Sequence, residues 1–80
     1  MDLRKILRDC PRGTKLYSTV LGEVTFDGII GACIYPIIVI CKGGAMESFT
    51  AEGKMVYEYD GECTLFPSRD QRDWSKFIVP

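Results

Sequence analysis

The chain has 80 residues, 46% hydrophobic and 26% charged, with a net charge of −1 and no histidine. That length makes a single domain near the lower limit for an unaided core, and the plentiful aromatic and β-branched residues argue against disorder. The near-neutral balance argues against a sequence-independent nucleic-acid binder, and the missing imidazole removes a conventional catalytic triad.

The first element is a helix expected over residues 2–10. Leu3, Ile6, Leu7 and Cys10 fall at helical spacing on one apolar stripe, Asp2 stands where a cap would, and Pro11 and Gly13 stop the run. So short a helix has to dock its stripe on something else.

Residues 15–66 read as β. "KLYST" is a first short strand, and "LGEVTFDGII" places Val24 and Phe26 on one face after a turn or bulge at Gly22. "YPIIVICK" is apolar on both faces, as in a central strand, with Pro36 at its start. Gly43-Gly44 signals a two-residue hairpin and Glu52-Gly53 a further turn, after which Met55, Tyr57 and Tyr59 share a face. "DGE" at 60–62 turns again, and "CTLF" is a last strand ended by Pro67. Short strands at regular spacing with Gly-bearing turns predict a mainly β fold, a small antiparallel barrel or sandwich of about five or six strands, and the strand order, with "GEV" after a first short strand and "FTAEGK" after a hairpin, resembles that of SH3-like barrels.

In the tail, residues 67–80, Ser68 and Gln71 stand at capping-box spacing and predict a short helical turn, 3₁₀ or α, and Trp74 and Phe77 lie three residues apart. The tail reads either as a lid, in which Leu65, Phe66, Trp74 and Phe77 finish the core, or as an aromatic patch flanked by Arg69 and Arg72.

Charges are unevenly spread: Arg4, Lys5, Arg8, Arg12 and Lys15 crowd the N-terminal part, while Glu58, Asp60 and Glu62 gather near a turn that reads as a solvated acidic loop. Cys10, Cys33, Cys41 and Cys63 form no C-x-x-C pair and read as reduced thiols, mostly buried, rather than zinc ligands or disulfides. No catalytic residue, metal site or cofactor is expected, nor any phosphate-binding or dinucleotide motif. No apolar run has the roughly 18 residues of a membrane span, and the N-terminus lacks a signal peptide's apolar core, so a cytoplasmic location is expected.

"GTKLYSTVLGEVTF", "YPIIVIC", "ESFTAEGK" and, most specifically, "LFPSRDQRDWSKF" resemble a family of small uncharacterised proteins from gut anaerobes and their phages or other mobile elements. The resemblance spans about residues 3 to 78 and implies no activity or site residues. The leading functional expectation is a protein-binding module of such an element, using strand addition or peptide docking. Its candidate contacts are Tyr17, Tyr57, Tyr59, Trp74, Arg69 and Arg72. A nucleic-acid-binding barrel, using Arg4, Arg8, Arg12 and Lys15 joined by Arg69 and Arg72, and a self-associating structural subunit are the alternatives.

Overall fold

Alternating burial sets the architecture. A computed structural model describes residues 1–55 and 61–80. In it β1 (Lys15–Ser18), β2 (Gly22–Ile29), β3 (Ile37–Cys41), β4 (Met46–Phe49) and β5 (Leu65–Phe66) form one antiparallel sheet in the order β4-β3-β2-β1-β5. The mainly β class read from the sequence is the one observed. Tyr57 and Tyr59, together with Glu58 and Asp60, lie outside the described residues.

Register gives the sheet two distinct faces. Leu16, Val24 and Cys41 share one cross-strand row, and Phe26 and Val39 pair in another on the same side. This side carries the core, where Leu3, Leu7, Phe49, Met55 and Leu65 join them. Lys15, Thr25, Ile40 and Met46 form a row on the opposite side. In β3, Ile37, Ile38 and Val39 are all buried, which explains why that strand reads as apolar throughout. A bulge between Phe26 and Gly28 sets Asp27 beside Arg12, whose Nε lies 3.4 Å from its carboxylate.

The hairpin loops follow one recipe. Cys41 donates its N–H to the Ala45 carbonyl (2.8 Å) and accepts from Gly44 N–H (2.8 Å). Thr50, Lys54 and Gly53 repeat the pattern at 2.8 and 2.9 Å. Gly44 (φ +94°) and Gly53 (φ +83°) occupy the left-handed position that ends each loop. The β3–β4 connection is therefore a three-residue loop closed by Gly44, not the two-residue turn expected from Gly43-Gly44; a type I turn followed by a left-handed residue matches the strands' twist.

Three other expectations are corrected. The helix α1 covers only Leu3–Ile6; Leu7 caps it, and the chain then turns toward Pro11. The apolar stripe is nonetheless used, with Leu3, Leu7 and Cys10 buried, because the turn keeps them on the core side. α1 is fastened by Leu3 N–H to the Ala51 carbonyl at 2.8 Å. Among the described residues the ladder does not close into a barrel. Instead Phe49 bridges Met55, Thr64 N–H meets the Gly53 carbonyl (2.9 Å), and Thr19 N–H meets the Thr64 carbonyl (2.9 Å). Among the described residues the two edges of the sheet are thus joined by isolated bridges and hydrogen bonds. A Cβ on Gly53 would stand 2.7 Å from Cys63 Sγ and 3.4 Å from Leu3 Cδ1, so this crossing tolerates glycine alone. Finally, the expected short helical turn of the tail is present, as a 3₁₀ turn at Trp74–Lys76, but Asp73 and not Ser68 caps it. Ser68 Oγ does accept from Gln71 N–H (3.0 Å), but the Gln71 side chain accepts from Asp73 N–H (3.0 Å) and makes no reciprocal cap.

Among the described residues no helix is long and apolar enough to cross a membrane. The cysteines are all free, but Cys10 alone is buried; Cys41 and Cys63 are half-buried, and Cys33 is exposed in the β2–β3 loop.

Candidate functional site

After β5 the chain leaves the ladder at Pro67, and residues 67–70 form a wall that lines one side of a groove shared with β1, β2 and the end of β3. Between wall and sheet lies an open groove of about 640 Å³. Its floor comes from the strands: Tyr17 on β1, Thr25 on β2 and Ile40 on β3 line it from outward positions, and Leu16, Val24 and Cys41 of the core-side row line it as well. Lys15, Glu23 and Lys42 border the floor, and Arg69 and Asp70 border the wall.

The wall is held from below. Ser68 N–H donates to the Gln71 carbonyl (3.2 Å), and together with the bond from Gln71 N–H to Ser68 Oγ this closes a tight loop. Arg72 Nε donates to the Arg69 carbonyl at 3.1 Å. Its guanidinium lies 4.8 Å from the centre of the Phe66 ring and 5.4 Å from that of Tyr17. Those two rings are direct cross-strand partners of β1 and β5, so one cation covers an aromatic pair. Beneath, Trp74 is 7% exposed and its indole Nε1–H donates to the Leu65 carbonyl at 3.0 Å. Phe77 meets the indole edge-on, ring centres 5.3 Å apart. The lid and patch readings of the tail therefore divide along its length: Trp74 plugs the core, while Arg69 and Asp70 face the groove.

The expected site residues are distributed accordingly. Tyr17 and Arg72 are brought together and Arg69 stands on the same wall, whereas Trp74 is buried and does not line this groove. Glu23, Thr25, Ile40 and Lys42 were not singled out from the sequence. Period-2 alternation does put them opposite Val24 and Cys41 on their strands. What it leaves open is which strands lie side by side, and that decides the groove.

Electrostatics separates this groove from the basic N-terminal segment. Arg4 pairs with Asp2 (3.0 Å), Arg8 with Asp9 (3.9 Å) and Arg12 with Asp27. Among the described residues, Lys15, Lys42 and Arg69 form no ion pair, and neither do Glu23 and Asp70. Burial pushes the Cys10, Cys41 and Cys63 thiols up from the ordinary value, and the charges of Asp9 and Glu47 add to this at Cys10 and Cys41. Among the described residues no cluster of carboxylates and thiols is arranged to hold a metal ion.

No family model, curated protein or solved structure matches the chain.

Proposed function

We propose that this chain is a non-catalytic protein-binding module whose groove takes an extended peptide segment bearing carboxylates. The carrying observation is the set of cations Lys15, Lys42 and Arg69, which face a partly apolar floor and have no carboxylate of their own within the described residues. Glu23 and Asp70 stand among them, so the groove favours an acidic guest by a margin of one charge and also disfavours indiscriminate binding of polyanions. Apolar side chains of the guest would rest on Ile40, and its carboxylates would reach the lysines and Arg69. A volume of about 640 Å³ falls in the range of roughly 300–1,000 Å³ common for ligand clefts.

Nucleic-acid binding is less well supported. The N-terminal arginines are matched by Asp2, Asp9 and Asp27, and the ring of Tyr17 lies under Arg72, so the stacking face a base would need is occupied.

The test is a titration of the isotopically labelled chain, followed by amide resonances, with two blocked peptides. One alternates Glu with Val; the other carries Lys in place of Glu. The acidic peptide should shift the amides of Lys15, Thr25, Ile40, Lys42 and residues 68–70, with an affinity that falls as salt rises. Lys15→Glu combined with Lys42→Glu should abolish those shifts. Equal response to both peptides, or a response elsewhere on the surface, would remove this reading.

A further inference from the structure

The groove has a sheet on one side and a loop on the other; of the loop's residues 67–70 only Pro67 is buried, and among the described residues no backbone hydrogen bond ties Ser68, Arg69 or Asp70 to the sheet. Ser68 and Gln71 tie it to itself; neither ties it to the sheet. Trp74 anchors the chain to β5, but it lies four residues beyond Asp70, and the turn at Asp73 intervenes. Arg72 is the side chain that spans this gap. Its planar end rests on Phe66 and Tyr17, and its Nε–H holds the carbonyl of Arg69.

We infer that Arg72 is a positioning residue that sets the height and angle of the groove wall, and that its role depends on the flat guanidinium and the Nε–H rather than on charge alone. The inference rests on the binding reading for its meaning, but the geometry of the wall can be measured without any ligand. A planar cation stacks on a ring face and still directs one N–H sideways in its own plane. A lysine ammonium carries the charge but has neither the plane nor the in-plane donor. Arg72 is itself solvent-exposed, so little of the core depends on it.

The experiment compares Arg72→Lys and Arg72→Ala with the parent chain. Three quantities are read: the amide resonances of residues 68–71, the indole N–H resonance of Trp74 with the thermal midpoint, and the affinity for the alternating Glu-Val peptide. Both variants should move the wall amides and weaken the peptide by about two- to fivefold, the size expected for losing one exposed cation–π contact. Trp74 and the midpoint should stay close to the parent. The inference is overturned if Arg72→Lys restores the parent wall and affinity, since charge would then suffice. It is equally overturned if the Trp74 resonance and the midpoint move together with the wall, which would make Arg72 a support of the fold, or if the wall does not move. Should the parent fail to bind the peptide, the binding reading falls alone, and the wall amides still decide the role of Arg72.

Discussion

Trp74 carries three kinds of interaction at once. Its rings fill the core beside Leu65, its edge meets Phe77, and its indole N–H occupies the Leu65 carbonyl, which also accepts from Cys63 Sγ at 3.2 Å. These contributions separate by substitution. Trp74→Phe keeps an aromatic plug and loses the donor, and should cost about 1 kcal/mol plus a small packing loss. Trp74→Ala leaves a cavity and should cost about 3–5 kcal/mol. A core of this size supplies roughly 3–5 kcal/mol in all, so the alanine variant should be largely unfolded at room temperature. Urea unfolding of the two variants checks the ladder of effects; an alanine variant with the parent midpoint would show that the core does not need its plug. The aromatic spacing of Trp74 and Phe77 is visible in the sequence. The hydrogen bond to Leu65 is not, because its partner lies nine residues back across a loop whose path no local pattern records.

Elements here are short, and their ends matter as much as their middles. The apolar stripe of residues 3–10 is legible, yet the helix stops at Ile6, since burial of Leu3, Leu7 and Cys10 constrains the side of the chain and not its pitch. Strand positions and the glycine-bearing turns are legible for a firmer reason: alternation and left-handed backbone both leave marks in residue type. Loop length escapes, as the Gly43-Gly44 connection shows. Both helical pieces begin on an aspartate. Asp73 accepts from the hydroxyl and the amide of Ser75, and these bonds, the hydroxyl's first, hold its carboxyl below the ordinary 3.8. A carboxyl depressed in the folded chain stabilises it fully above the unfolded pKa, and that contribution disappears as pH falls through the lower folded value. The loss therefore falls below pH 3.8. Asp73→Asn retains an accepting oxygen without the titration, so its thermal midpoint should fall less steeply than the parent's on acidification in that window. Parallel slopes for the two proteins would mean that the cap is irrelevant to acid stability.

At the scale of the whole molecule, the mainly β architecture is legible because Gly-bearing turns at regular intervals leave few other solutions for so short a chain. Whether the sheet would close is not, since closure depends on contacts between residues far apart in the sequence, such as Thr19 with Thr64 and Gly53 with Thr64. The groove escapes for the same reason: the wall lies more than twenty residues beyond the last strand of the floor. That arrangement has a kinetic consequence. The β1–β2, β2–β3 and β3–β4 hairpins join neighbours and can zip up early, whereas Tyr17 must wait for Phe66. Closing that long loop costs entropy before any contact repays it. Val39→Ala, in the central hairpins, should thus slow refolding, while Trp74→Phe, at the late seam, should chiefly hasten unfolding; stopped-flow measurements across urea separate the two, and the opposite assignment would reverse the order of assembly. On this order the wall is the last part of the chain to arrive and the first to leave, so the capacity to hold a guest would be lost before the sheet beneath it gives way.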